Sequence, residues 1–328
     1  MSRPTGSLKQ KATVILVNFR SAPLAIDCLV SLELERRELH DFCVIVVDGN
    51  SQDTSVVEIS AAILERGWSD WCSLCELNHN GGFAYANNSV IRSATQSDTA
   101  ADCFLLLNPD TVTHNGAVGS LLRFMDQHSD VGICGSRLED PDGSTQLAAR
   151  RFPGILSELE ATLRLGFMTR LLNRWKTTEP ESDEPHPTDW LPGASLMIRR
   201  EVFEQIGLLD DGYFMYYEEV DFCLRAKRAG WQVWYVPQSR VIHLVGQSSG
   251  VTSAGPRKRL PQYWYDSRRR YFQKNYGRLS RILTDITFIL GFSCWRLRRK
   301  LQRKPDTDPP AMLRDYVTYF LTGRISAR

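Results

Sequence analysis

Two rhythms of apolar and polar positions alternate along residues 12–136. Continuous apolar runs at Ala12–Asn18, Phe42–Asp48, Trp71–Leu77, Phe104–Leu107 and Val131–Gly135 read as buried strands. Between them the spacing turns helical, at Pro23–Leu34, Thr54–Leu64, Phe83–Ala94 and Gly116–Gln127. Short apolar strands separated by helices predict an α/β chain with a parallel sheet covered on both faces. Ser21 is the expected cap of the first helix, and Ser51 with Asp53 that of the second. Further along, the pattern predicts one helix over Ile155–Trp175 and then an exposed acidic, Pro-rich loop over 177–189.

In open sheets of this kind ligands bind beyond the carboxyl ends of the strands. Here those ends are Asn18, Asp48-Gly49-Asn50-Ser51, Asn78-His79-Asn80-Gly81-Gly82 and Asn108-Pro109-Asp110. Asn, Asp and Gly are ordinary turn formers, but four polar ends along one edge predict a ligand rim. Asp48 is expected to emerge there and accept from a pyrimidine N–H or a ribose hydroxyl. Gly82 opens a helix whose free N–H groups favour an anion. Neither a GxGxxG nor a GxxxxGK[ST] pattern is present, so dinucleotide and P-loop readings lack support.

Asp110 follows a proline that turns the chain sharply out of the sheet. One carboxylate, diphosphate oxygens and a second protein ligand suit Mg²⁺ or Mn²⁺, and His243, ending the run Val241–His243, is the candidate second ligand. Glu218, Glu219 and Asp221 crowd the start of a helix running to about Ala229. Acidic residues suit that end electrostatically, yet such a cluster also serves to take a proton. Spacing puts Glu218 and Asp221 on one face, Glu219 on another, and Asp221 within reach of Arg225. Trp190 precedes the tight Gly193-Ala194 turn, where an indole could stack on a sugar or simply fill the core.

The charge distribution adds a second region. The chain has 328 residues and a net charge of +2, but residues 257–304 carry 15 Lys and Arg against Asp266 and Asp285. The first 256 residues are correspondingly acidic, which excludes a nucleic-acid interface spread over the body and leaves an anionic surface as partner for the tail. Leu279, Ile282, Leu283, Ile286, Ile289, Leu290 and Leu297 form an aliphatic stripe there, and Phe288, Phe292 and Trp295 an aromatic one. The uncharged run is too short to span a bilayer. Flanking cations predict an interfacial helix over about 279–304 on an anionic membrane, with packing against the body as the alternative. Cys28, Cys43, Cys103 and Cys134 lie in apolar runs and read as buried thiols. The lone Cys72-Ser73-Leu74-Cys75 pair lacks the partners of a zinc site. A polar N-terminus without a secretory signal points to the cytoplasm.

Taken in order, Val46-Val47-Asp48-Gly49-Asn50-Ser51, Asn80-Gly81-Gly82-Phe83-Ala84-Tyr85-Ala86-Asn87-Asn88, Leu107-Asn108-Pro109-Asp110, Gly193-Ala194, Tyr217-Glu218-Glu219-Val220-Asp221-Phe222-Cys223-Leu224-Arg225 and His243 resemble the family 2 glycosyltransferases, within them the bacterial rhamnosyltransferase-like branch. The resemblance covers about residues 12–250. It implies a GT-A fold over residues 1–256, with a donor-binding half at about 12–136 and an acceptor half at about 137–256. A helical extension would occupy 257–328.

The same resemblance implies an inverting, metal-dependent transfer from a dTDP- or UDP-sugar, with L-rhamnose as the specific expectation. The acceptor would be a glycan or lipid-linked glycan in surface-polysaccharide assembly, and the enzyme would sit on the inner face of the cell membrane. By position, Asp48 would contact the base, Asp110 and His243 would hold the metal, and Glu219 would deprotonate the acceptor, with Glu218 and Asp221 completing the catalytic cluster. Asn18, Asn50, Gly82, Asn87, Asn108, Trp190, Gly193 and Arg225 complete the expected substrate-binding set. Two departures stand out. Gly49 replaces the usual Asn, and the usual Glu-Asp pair is Glu218-Glu219, which leaves Glu219 and Asp221 both open as the base. A catalytically silent nucleotide-sugar-binding module is the competing expectation.

Overall fold

The computed structural model describes residues 10–37, 39, 41–95, 101–244 and 258–325. Strands β1 (Ala12–Asn18), β2 (Phe42–Asp48), β3 (Cys72–Glu76) and β4 (Cys103–Leu107) form where the apolar runs predict them. Helices α1 (Ala22–Arg36), α2 (Ser55–Glu65) and α3 (Gly82–Thr95) connect them. The short β5 (Thr111–Thr113), α4 (Ala117–Gln127) and β6 (Val131–Glu139) follow. The minor strands β7 (Thr145–Gln146) and β8 (His186–Pro187) bracket α5 (Ile155–Leu163) and α6 (Gly166–Leu171). Then come β9 (Ser195–Arg199), α7 (Arg200–Ile206), α8 (Glu218–Arg228), β10 (Gln232–His243), α9 (Gln262–Leu301) and α10 (Met312–Thr322).

The main sheet runs β3-β2-β1-β4-β9-β6-β10-β5. Its pairings leave β3, β2, β1, β4, β6 and β10 pointing one way and β9 and β5 the other. The sheet is therefore mostly parallel, but the two reversed strands matter most for the site. Because β9 is antiparallel, it begins at the edge where β4 ends. The Asn108 N–H donates to the Ala194 carbonyl there at 3.1 Å. Because β5 turns back along β10, His243 pairs with Thr111, and the Leu244 N–H donates to the Asp110 carbonyl at 2.9 Å. Residues separated by some 130 positions thus meet without any long loop.

The expected single helix over Ile155–Trp175 is broken. Arg164 takes a left-handed conformation (φ 49°) and ends α5. Its guanidinium pairs with the buried Asp308 at 2.9 Å and lies 4.9 Å over the Trp295 ring, so the C-terminal region sets the break. The acidic loop is not free either, since Arg137 pairs with Glu181 and Asp183. Cys43 is exposed rather than buried, because it alternates outward on β2. Ser21 stands at the head of α1, but its hydroxyl donates to Asn18 Oδ1 instead of capping. Asp53 does receive the Ser55 N–H at 2.9 Å, whereas Ser51 bonds to Asp48.

The C-terminal extension is helical and reaches the main body. Gly277 (φ 85°) divides α9 in two. The first half braces the 210–221 segment: the Ser267 hydroxyl donates to the Met215 carbonyl, Arg270 pairs with Asp210, and Lys274 and Asn275 donate to Asp221. The second half packs its aromatic stripe inward. Phe288 stacks on Tyr316 of α10 at 4.0 Å, and Phe292 and Trp295 are buried beside it. Arg268 sits within this packing, paired with Asp285 at 2.7 Å and Glu158 at 3.2 Å. The expectation that the aromatic stripe faces a membrane is therefore corrected: those rings form a second hydrophobic cluster.

Candidate active site

A cleft of about 490 Å³ opens at the carboxyl edge of the sheet. Among its walls are Asn108, Asp110, Gly193, Glu218, Glu219 and His243. Residues from four separate stretches of chain are brought together here.

At its floor, Asp110 is 1% exposed and its Oδ1 lies 3.6 Å from His243 Nε2. The ring of this histidine is oriented by Gln146. Gln146 uses its NH₂ group on the His243 and Glu139 carbonyls and on Asp140, which leaves its Oε1 to accept from His243 Nδ1 at 3.3 Å. That contact turns Nε2 toward the Asp110 carboxylate. Asp110 and His243, once its Nε2 is deprotonated, would together hold a divalent cation such as Mg²⁺ or Mn²⁺. The donor set is hard and incomplete, as expected of a cation that completes its shell with phosphate oxygens and water. No group of three or more metal-ligating side chains occurs among the described residues.

Across the cleft, α8 begins at Glu218 after Tyr217, whose φ is 70°. Glu218 is 5% exposed, and Glu219 is half-buried. The Oε2 atoms of both are buried without a hydrogen-bond partner. Burial pushes the Glu219 carboxyl up to about 7, partly countered by backbone N–H groups and by Arg150. Burial, then the charge of Glu219, raises Glu218 well above the ordinary carboxylate range. Glu218 thus holds its proton where Glu219 ionises near neutrality, the condition a general base requires.

Asp221 belongs elsewhere. It is fully buried and accepts from Arg225 Nε (3.0 Å), Lys274 Nζ (2.7 Å), Asn275 Nδ2 (2.8 Å) and Tyr213 Oη (3.3 Å). The expected sharing of a face by Glu218 and Asp221 does not bring them together; it is Glu218 and Glu219 that border the cleft. Arg225, expected in the substrate-binding set, directs its remaining donors to the Ile206 and Leu208 carbonyls and is not among the cleft walls.

Several other expected contacts are turned inward. Asp48 is 2% exposed. Its oxygens take Asn18 Nδ2 (2.8 Å), Ser51 Oγ (2.6 Å) and the Ser51 N–H (2.9 Å). Asn18 accepts in turn from Ser21, so these side chains lock the ends of β1 and β2 together rather than project from them. Phe19, Gly49 and Leu77 form the wall at this end instead. Asn50 donates to the Asn78 carbonyl, and Asn87 is fully buried with its amide on the Phe83 carbonyl. Trp190 packs against the core and donates to the Arg151 carbonyl, leaving Pro192 and Gly193 at the wall. Gly82 does line the cleft. Its φ of 88° and the Phe214 carbonyl, which a β-carbon would strike, require glycine there.

Phe19, Phe214, Met215, Tyr216 and Tyr263 are cleft residues that sequence reasoning missed. Phe214–Tyr216 belong to the aromatic run before Glu218, a usable signal. Tyr263 comes from α9, and nothing in its local pattern marks it. Gln146 carries no motif at all.

The family model for glycosyl transferase family 2 matches residues 13–207, and the chain belongs to that family. It is 36% identical over 152 residues to an N-acetylglucosaminyl-diphospho-decaprenol L-rhamnosyltransferase of Mycobacterium tuberculosis, covering 45% of this chain and 49% of the relative. It is 27% identical over 166 residues to rhamnosyltransferase WbbL of Escherichia coli, covering 49% and 60%. These matches thus span about half the length of either relative. The fold is that of the GT-A transferases. A structure of GalNAc-T7 with UDP, GalNAc and Mn²⁺ superposes with a TM-score of 0.57 at 14% identity, covering 95% of this chain and 56% of that one.

Proposed function

We propose that this protein is an inverting glycosyltransferase that moves a hexose from a nucleotide-diphospho-sugar to a glycan or lipid-linked acceptor in surface-polysaccharide assembly. The donor we assign is dTDP-L-rhamnose, with a UDP-sugar as the variant to be tested beside it. The observation that carries this reading is that the close Asp110–His243 pair shares one cleft with Glu218 and Glu219, each of which keeps a buried Oε2 without a partner. The names of the two relatives support rhamnose as the sugar, and one of them supports an acceptor carried on a polyprenyl diphosphate. A lipid acceptor would place the protein at the inner face of the cell membrane.

In this reading Asp110 and His243 hold Mg²⁺ or Mn²⁺, which when bound neutralises charge on the donor diphosphate. Glu219 takes the proton of the acceptor hydroxyl as that oxygen bonds to the anomeric carbon. The bond from that carbon to the diphosphate oxygen breaks on the opposite face, and the configuration inverts. Glu218, protonated, keeps a second negative charge away from the first. Gly193 and Asn108 shape the wall between the two ends, and Phe19, Leu77 and Tyr263 exclude water.

Titration calorimetry of wild type and Asp110→Ala with dTDP and UDP, each with and without Mn²⁺, tests the reading. Metal-dependent binding of one nucleotide, lost in the variant, is the expected result. No binding of either nucleotide to folded wild-type protein would overturn the proposal, and tight binding without donor turnover would make the protein a nucleotide-sugar-binding module.

A further inference from the structure

The second half of α9 solves one problem and leaves another. Its aromatic face is buried against α10 and Arg164, but its opposite face is not covered by any of the described residues. Leu279, Leu283, Ile286, Leu290, Leu297 and Leu301 are 40–75% exposed. At 100° per residue they fall within an arc of roughly 60°, along a line about 33 Å long. Leucines exposed singly are normal on a protein surface. Six in one row on a single helix are not, because each was free to be polar without loss of packing.

Charge says what covers the row. The only carboxylate between residues 278 and 304 is Asp285, and it is buried between Arg268 and Arg281. Arg278, Lys300, Arg303 and Lys304 are exposed and make no ion pair with any described residue. A second copy laid along the stripe would bring cations against cations, with no exposed acid between residues 278 and 304 to meet them. An anionic lipid surface meets both features at once, since apolar side chains enter the acyl boundary while cations stay among the headgroups. Among the described residues no helix is long and apolar enough to cross a membrane.

We infer that the aliphatic face of residues 279–301 is a docking surface for an anionic bilayer, on which the helix lies flat. This deepens the proposed function and rests on its reading of a lipid-carried acceptor. It also ties the membrane contact to the cleft. The same helix, on the other side of Gly277, contributes Tyr263 to the cleft wall and holds Asp221 through Lys274 and Asn275.

The test is flotation of the full chain with vesicles of phosphatidylcholine alone and of equal parts phosphatidylcholine and phosphatidylglycerol. Binding is expected only to the anionic vesicles. It should weaken with salt and fall by about tenfold or more in L283S/I286S/L290S. These side chains are exposed, so the variant should unfold at the wild-type temperature, which is checked alongside. Equal binding by wild type and variant, or no binding by wild type, refutes the surface. A wild type that sediments as a dimer and becomes a monomer in the variant assigns the stripe to a second copy and also refutes it. Transfer to a soluble acceptor analogue separates this from the catalytic reading. Lost vesicle binding with intact transfer in the wild type refutes only the surface, and vesicle binding without any transfer refutes only the enzyme.

Discussion

The two sides of the cleft treat their carboxylates in opposite ways. At the β1–β2 end, Asp48 is surrounded by protein donors: Asn18, the Ser51 hydroxyl and the Ser51 N–H all point at it. Across the cleft, Glu218 is buried and Glu219 half-buried, yet each keeps a buried Oε2 with no partner. A buried acceptor that is fully served holds shape, while one left unserved is costly unless a ligand or a proton completes it. Motif position alone would give Asp48 and Glu219 equal standing as substrate contacts. The hydrogen bonds separate a carboxylate served by the protein from two that each keep an open oxygen.

The strongest way to break this comparison is Glu219→Gln. Losing a general base typically costs about 10²–10⁴-fold in rate, so transfer should nearly vanish while calorimetric nucleotide binding stays close to wild type. In the wild type, kcat should rise with pH and level off above about 7, where Glu219 ionises. The stability effect has the opposite sense. A carboxyl raised from 4.5 to about 7 by folding contributes stability at low pH that is lost as pH rises through 7. Glu219→Gln removes that loss, so at pH 8 it should be more stable than wild type, by on the order of 3 kcal/mol. Near-normal turnover in this variant would move the base elsewhere.

Asp221→Ala comes next. It removes the buried acceptor of Arg225, Lys274, Asn275 and Tyr213, of which Lys274 keeps Asp210 and Arg225 keeps two carbonyls, and costs about 1–3 kcal/mol. Denaturant unfolding should register that loss. A variant that kept its stability while losing turnover would put Asp221 back among the reacting groups.

Asp48→Ala should have the smallest effect of the three. It leaves the Asn18 and Ser51 donors without an acceptor, at about 1–3 kcal/mol. Its nucleotide affinity, measured well below the unfolding transition, should change less than its midpoint. A selective loss of nucleotide binding at unchanged stability would show that the satisfied side also reads the ligand.

The sequence determined a good deal by itself. Continuous apolar runs and period-3.6 apolar patterns located the first four strands and four helices within a few residues, because burial on two faces or on one stripe leaves a direct mark on composition. Asp110, His243, Glu218 and Glu219 were legible because a proline turn, a strand end and a run of acids are unusual enough to stand out. Tertiary structure decided what each polar group faces. Nothing local distinguishes Asp48, turned onto Ser51, from a carboxylate turned outward, nor Asp221, claimed by Lys274 and Asn275 more than fifty residues away. Gln146, Tyr263 and the break at Arg164 were invisible for the same reason: their partners lie across the fold. The tail makes the point in its simplest form. Its two apolar stripes are equally plain in the sequence, and only the placement of α10 and Arg164 shows which one the protein covers and which it leaves to its surroundings. Hydrophobicity is a property of the residue, but exposure is a property of its neighbours.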